Sequence, residues 1–143
     1  MYKRKIFVSF DYENDRHYKY LLDAWSENSD FELTFDDRSP SEIQTNSVSV
    51  VKQVLSKKIN EATTVIVLAG KDINKTHKDK SEIGCINWQN YETYKAIELK
   101  KNIIVVRISP NNNIPLEIIG HDYTLVNNFK QDEILNALRV KIG

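Results

Sequence analysis

Cysteine, glycine and proline are all scarce in this chain of 143 residues. Cys85 is the single cysteine, which excludes an internal disulfide bond and a zinc cluster built on cysteine ligands. The four glycines are dispersed, so the chain has neither the glycine fingerprint of dinucleotide-binding folds nor a P-loop. Two common ways of binding nucleotide phosphates are therefore excluded.

An excess of one charge and long apolar runs are also missing. Lys plus Arg number 20 and Asp plus Glu number 20, so the chain lacks the basic surplus that is typical of nucleic-acid binders. No apolar run approaches the length of about 20 residues that a membrane-spanning helix needs, and the N-terminus does not resemble a secretory signal. We therefore expect a cytoplasmic protein without nucleic-acid or membrane partners. The length and the 41% hydrophobic content predict a single domain over residues 1–143.

Apolar, β-branched segments alternate with apolar stripes at helical spacing. Strands are predicted at residues 6–10, 31–35, 63–69, 103–108 and 123–126. Helices are predicted between them, with Asn46 or Ser47 as the N-cap of the second and residues 88–99 in a later one. This alternation predicts a doubly wound α/β fold, in which helices cover both sides of a mainly parallel five-stranded sheet to make three layers.

A ligand site is expected where the strand order of such a sheet reverses. Ligands bind there, beyond the carboxyl ends of the strands, and in the flavodoxin-like order this point lies between the first and third strands. The first strand delivers Ser9, Phe10 and Asp11 to this position, and the third delivers Gly70. The helix that begins near Trp88 borders the same cleft.

Several chemistries do not fit the residues at this position. Asp11, Glu13 and Asp15 occupy the place of a flavodoxin-type phosphate loop, and their charge would repel a phosphate. Acidic residues are also typical of a helix start, so these three do not identify a site by themselves. The histidines are scattered without metal-ligand spacing, and no nucleophile-elbow motif surrounds Ser9. We expect no metal.

Glu92 is the most informative single position. It follows Trp88 by four residues and precedes Ala96 by four, which places a carboxylate in an otherwise apolar helical stripe. Such a group is costly to bury unless it faces a cleft or has a partner. A plain helix-end role is the alternative. That role is favoured if Asn90 is the N-cap and disfavoured if Asn87 is.

The order and spacing of five segments resemble those of TIR-like domains. The segments are KIFVSFDYEND at 5–15, FDDRSP at 35–40, KKINEA at 57–62, WQNYE at 88–92 and IIVVRI at 103–108. The resemblance is greater to the bacterial TIR-like group that includes the signal-producing subunits of Thoeris antiphage systems. It implies a flavodoxin-like fold and, in active members, a site that cleaves NAD.

The resemblance also assigns roles to individual residues. Family members carry their catalytic glutamate in the helix after the third strand, four residues past a tryptophan, and Trp88 and Glu92 match that pattern. The edge of the first strand and the loop after the second strand, here residues 36–41, shape the pocket in this family. The expected substrate-binding residues are Ser9, Phe10, Asp11, Asp36, Arg38, Gly70 and Trp88.

The implied function is that of an NAD-cleaving enzyme of the glycohydrolase or ADP-ribosyl cyclase type. Such an enzyme releases nicotinamide and forms an ADP-ribose-derived, cyclic nucleotide signal in antiphage defence, with NAD as substrate and no cofactor. Self-association or a phage-derived trigger is the expected regulation. The competing hypothesis is a non-catalytic TIR-like scaffold that assembles with partners or only binds a nucleotide.

One segment departs from the resemblance. Segment 77–86 is longer than the segment that precedes the tryptophan in the family. After residue 109 the sequence resembles no specific part of the family. The polar segment 71–87 lies between a buried strand and the Glu92 helix, which predicts a mobile loop that borders the pocket. An inert surface insertion is the alternative.

Overall fold

One parallel sheet organises the computed structural model, which describes residues 4–26, 33–36, 43 and 45–142. Its strand order is β2-β1-β3-β4-β5. The strands are β1 (Arg4–Ser9), β2 (Leu33–Asp36), β3 (Thr64–Ala69), β4 (Asn102–Arg107) and β5 (Thr124–Val126). Because β1 pairs with β2 on one side and with β3 on the other, the order reverses between β1 and β3.

Helices connect consecutive strands of the sheet. They are α1 (Tyr12–Ser26), α2 (Val48–Glu61), α3 (Lys80–Ile83), α4 (Trp88–Glu98) and α5 (Gln131–Ile142), with a 3₁₀ turn at Leu116–Ile118. Ser47 is the N-cap of α2, where its hydroxyl accepts a hydrogen bond from the Val50 amide. The start of α2 therefore follows ordinary capping chemistry.

The burial of β3 shows why it lies inside the sheet. All six of its residues, TVIVLA, are buried, which is typical of a parallel strand covered on both faces. On one face, Val65 and Val67 join a core that includes Leu55 of α2 and Ala96 of α4. The opposite face forms a second core with residues of α1 and α5, including Leu22, Ile134 and Leu138. The two cores make three layers: α2 and α4, the sheet, and α1 and α5.

The structure confirms the α/β class with a parallel sheet of flavodoxin-like type. The observed strand limits differ from the predicted ones by one or two residues at most ends. Segment 71–87 was predicted to be irregular, yet it contains the short helix α3. This helix ends at Gly84, whose φ of 86° lies in the left-handed region that glycine favours. Among the described residues, no helix combines the length and apolarity needed to cross a bilayer.

Candidate functional site

The reversal point of the sheet is held together by a side chain of α4. Gln89 Nε2 donates hydrogen bonds to the carbonyl oxygens of Ser9, at 3.3 Å, and Leu68, at 3.0 Å. These carbonyls lie at the carboxyl ends of β1 and β3 respectively. The amide thus fixes the start of α4 across the position where ligands bind in sheets of this kind.

Asn87 is the N-cap of α4, and this settles how far Glu92 lies from the helix end. The Asn87 side-chain oxygen accepts a hydrogen bond of 2.9 Å from the Asn90 amide. Glu92 is therefore beyond the first turn of α4, where the helix dipole contributes little. The plain helix-end role does not account for a glutamate at this position.

Glu92 forms a buried pair with Ser9. The Ser9 hydroxyl donates to Glu92 Oε1 at 2.7 Å, and both residues are only 1% exposed. Burial raises the pKa of Glu92 to about 8, and the hydrogen bond from Ser9 opposes this rise. The carboxyl is therefore mostly protonated near pH 7, unless a positive charge comes close to it. A raised pKa beside a cleft is typical of groups that perform proton transfer or charge stabilisation.

A cleft of about 370 Å³ opens at the same end of the sheet. Aromatic side chains of Phe10, Tyr12 and Trp88 line part of it. Its remaining lining is polar or charged: Asp11, Glu13, Asn14, Asp72, Lys75, Thr76, His77, Lys78, Asn87 and Gln89. Ser9 directly precedes the lining residue Phe10, and Glu92 lies three residues after the lining residue Gln89, but neither is among the described residues that line the cleft.

The segment that follows β3 is tied to the start of α4 by amide side chains. Asn87 Nδ2 donates to the carbonyls of Ile73 and Lys75, at 2.8 and 2.9 Å. Asn90 Nδ2 donates to the Ile73 carbonyl at 3.0 Å, and the His77 amide donates to the Ile86 carbonyl at 2.8 Å. Residues 75–78 border the cleft, as predicted. The predicted mobility of segment 71–87 stays a prediction, although these bonds restrain its base.

A second buried carboxyl belongs to Asp15 on α1. It is 6% exposed, and its Oδ2 has no hydrogen-bond partner. Burial, followed by the nearby charge of Asp11, raises its pKa to about 6. Gly70 makes room for this group, because a Cβ at that position would lie 2.0 Å from Asp15 Oδ2.

The predicted site residues fall into three groups. Phe10, Asp11 and Trp88 line the cleft, whereas Ser9 and Glu92 pair with each other and are not among its described lining residues. Gly70 packs against Asp15 and is not among the described lining residues. The closeness of Asp15 therefore explains why a residue without a side chain stands at this position, and no ligand is needed for the explanation. The backbone of Asp36 belongs to β2, but its side chain is outside the described part, as are Arg38 and the loop at 37–42. The substrate-binding and catalytic roles stay predictions.

Sequence reasoning missed the amide side chains that build this region. The sequence assigns Gln89 no role of its own, because nothing in the local pattern shows that this polar side chain is buried. The two alternatives for the N-cap were weighed only as caps, whereas Asn87 and Asn90 also hold the preceding segment. Lys75 and Lys78 carried no recognisable motif, and only the topology brings them to the cleft.

The absence of a metal stays a prediction. Within residues 4–26, 33–36, 43 and 45–142, no group of three or more His, Cys, Asp or Glu side chains could hold a metal ion. Asn14 Nδ2 instead satisfies two neighbouring carboxylates, with distances of 2.7 Å to Asp11 Oδ2 and 2.9 Å to Asp72 Oδ2. The acidic residues at the cleft are thus held by an amide.

The strand order and the two helical layers define the class of this protein as a flavodoxin-like α/β domain. Within that class, the family model described as Thoeris protein ThsB, TIR-like domain, matches residues 7–113. The chain therefore belongs to the Thoeris ThsB TIR-like family. Membership of this family suggests a role in antiphage defence.

Other comparisons add little. No curated protein sequence matches the chain significantly. Among solved structures, a 2-desoxiribosyltransferase from Leishmania mexicana is similar with 13% identity and a TM-score of 0.49, over 74% of this chain and 65% of that one. The chain thus spans less than two thirds of that enzyme's length. A similarity this weak supports no conclusion about what the chain binds or catalyses.

Proposed function

We propose that this protein cleaves NAD, releases nicotinamide and converts the ADP-ribosyl part into a cyclic nucleotide signal during antiphage defence. The observation that carries the proposal is the buried Ser9–Glu92 pair at the end of the sheet where the aromatic-lined cleft opens. Its hydrogen bond, from Ser9 Oγ to Glu92 Oε1, measures 2.7 Å. The cleft lies beyond the carboxyl ends of β1 and β3, where ligands bind in this type of sheet.

The reaction suits a site with one carboxyl group and no metal. Breaking the bond between nicotinamide and ribose sends the bonding electron pair to the ring nitrogen, so the leaving group is neutral and needs no proton. Positive charge develops on the ribose, as in the oxocarbenium-like states of glycoside hydrolysis. A carboxylate held in a poorly solvated position stabilises that charge. Tyr12 and Trp88 line the cleft and are partly exposed, so they supply aromatic faces for a ring of the ligand.

The raised pKa of Glu92 fits this chemistry if substrate binding ionises the carboxyl. The nicotinamide ring of NAD is cationic, and a positive charge near a carboxyl group favours its ionised form. Glu92 then loses its proton in the complex and faces the developing charge as an anion. Because Glu92 is 1% exposed, catalysis also requires the cleft to extend inward to the carboxyl group.

The alternative is a non-catalytic TIR-like scaffold, and the same burial favours it. A glutamate that is 1% exposed and bonded to Ser9 can serve as a buried polar link between α4 and β1 without meeting any ligand. On this hypothesis the cleft binds a nucleotide without turnover or binds none.

Nicotinamide release separates the two functions. Purified protein is incubated with NAD, alone and with extract from phage-infected cells, and free nicotinamide is measured by chromatography. Glu92→Gln keeps the shape and the acceptor for Ser9 but removes the charge, so it should lower the rate about a hundredfold, or roughly 3 kcal/mol of barrier. Glu98→Gln is the matched control, because Glu98 lies on the same helix and is exposed. Absence of nicotinamide under both conditions would favour the scaffold.

A further inference from the structure

The charged side chains that line the cleft come from two segments: Asp11 and Glu13 from around the start of α1, and Asp72, Lys75 and Lys78 from the segment after β3. Asp11 and Asp72 share the amide of Asn14, at 2.7 and 2.9 Å, and form an acidic wall. Lys75 and Lys78 line the cleft from the segment after β3. Within the described part of the chain, neither lysine forms an ion pair. The cleft thus presents two lysines without ion pairs and three carboxylates, those of Asp11, Glu13 and Asp72, to one ligand.

The backbone that carries the two lysines is held in place. The Lys75 amide donates to the Asp72 carbonyl at 3.0 Å, and the Lys75 carbonyl accepts from Asn87 at 2.9 Å. Next to Lys78, His77 Nδ1 accepts a hydrogen bond of 2.9 Å from the Asp79 amide. A neutral His77 therefore carries its proton on Nε2, as a further donor. Because the backbone beneath these exposed lysines is already fixed, less conformational entropy is lost when they bind an anion.

We propose that Lys75 and Lys78 bind the diphosphate of a zwitterionic dinucleotide, while the Asp11–Asp72 wall receives its cationic ring. Two ammonium groups match the two phosphate charges of a dinucleotide, since Lys is a common phosphate ligand. The carboxylates favour a positively charged ring and repel the phosphates. This orientation brings the ring to Asp11, two residues along the chain from Ser9. The assignment says which residues bind each part of the dinucleotide, and it rests on the proposed function.

Binding of ADP tests the lysines without requiring any turnover. The full chain is titrated with ADP and with adenosine by calorimetry, at low and high salt. ADP should bind at least tenfold more tightly than adenosine, and Lys75→Ala/Lys78→Ala should lose about tenfold per lysine. The preference should also shrink at high salt. Lys57→Ala/Lys80→Ala removes the same charge from helices outside the cleft and should bind ADP as the wild type does.

The outcomes distinguish this inference from the proposed function. Equal binding of ADP and adenosine, or ADP binding that the cleft variant does not weaken, overturns the assignment of the lysines. An unchanged KM for NAD in Lys75→Ala/Lys78→Ala overturns it as well, while nicotinamide release still supports the enzyme. Lysine-dependent ADP binding without nicotinamide release supports the binding site and rejects the enzyme.

The acidic wall has its own test. NAD and NADH differ in the charge of the ring, so competition between them measures whether the wall recognises that charge. Asp11→Asn removes one charge but keeps an oxygen to cap α1, since Asn and Asp cap helices about equally well. The variant should reduce the preference for NAD over NADH about threefold or more. An unchanged preference overturns the proposed orientation of the ring.

Discussion

Two carboxyl groups are buried near the same end of the sheet, on opposite faces. Glu92 belongs to α4 and accepts a hydrogen bond from the Ser9 hydroxyl, whereas Asp15 belongs to α1 and has an Oδ2 without a partner against Gly70. Burial raises the pKa of both, to about 8 and about 6. The comparison shows that a raised pKa alone does not identify a catalytic group. The proposed function rests on Glu92 because its carboxyl accepts a hydrogen bond from Ser9, whereas Asp15 Oδ2 has no such partner.

The largest effect on stability is expected at Glu92. Its pKa is about 8 in the folded chain and 4.5 without burial, so the folded state loses stability as pH rises from 4.5 through 8. Glu92→Gln removes this loss. It should raise the free energy of unfolding by about 5 kcal/mol above pH 8 and by little at pH 4, because a buried amide is less costly than a buried charge. Urea denaturation across this pH range measures the difference.

The control for this prediction is again Glu98→Gln. Lys95 and Tyr94 donate hydrogen bonds to Glu98 and lower the pKa of its carboxyl group. Glu98 therefore stabilises the folded state at pH values above its ordinary pKa. Its removal should therefore change stability in the opposite direction to Glu92→Gln. A Glu92→Gln variant that is equally stable relative to wild type at pH 4 and pH 9 would show that Glu92 ionises freely in the folded chain.

The next effect concerns Gly70 and tests whether it serves Asp15 or a ligand. The added methyl group of Gly70→Ala would lie 2.0 Å from Asp15 Oδ2, so the carboxyl must shift within a packed site. We expect a loss of about 2 kcal/mol in the free energy of unfolding, as for other overpacked sites. The loss should largely disappear in the Asp15→Ala background, because the opposing atoms are gone. A full loss in both backgrounds would disprove the packing explanation.

The smallest effect is expected at Asp15 itself. Its pKa is about 6 in the folded chain instead of 3.8, so it costs stability as pH rises from 3.8 through 6. Asp15→Asn should gain about 1 kcal/mol above pH 6 and nothing below pH 3.8. The gain is smaller than that of Glu92→Gln because the pKa of Asp15 is raised less than that of Glu92. Thermal midpoints at pH 3.5 and pH 7.5 measure it, and a gain of equal size at both would exclude the ionisation as its cause.

The sequence was sufficient for the frame of the fold and for parts of the candidate site. The apolar β3, the stripe of α2 and the acidic start of α1 follow from local patterns, and the position of Glu92 past Trp88 was visible as spacing. The Ser9–Glu92 contact joins residues 83 positions apart, so it forms only when α4 packs against β1 in the folded chain. The fit of Gly70 against Asp15 is likewise a property of packing between elements.

The same limit applies to the lysines of the cleft. Charged residues in an irregular segment are usually solvated, and nothing in the local sequence of residues 75–78 indicates which way the segment turns. Its course depends on the amides of Asn87 and Asn90, which lie a dozen or more residues later. Long-range side-chain bonds of this kind have no periodic signature in the sequence.

The amide of Gln89 has a consequence for the speed of any reaction at Glu92. Because it bonds to the ends of both β1 and β3, the two strands and α4 cannot separate at that point without breaking both contacts. If the cleft is to extend inward to Glu92, either these two hydrogen bonds must break or the cleft must open at a place that leaves them intact. If the proposed reaction takes place and breaking these contacts is slower than the chemistry, breaking them sets kcat. A partner or trigger that weakens the Gln89 contacts would then raise the turnover rate without contacting the substrate.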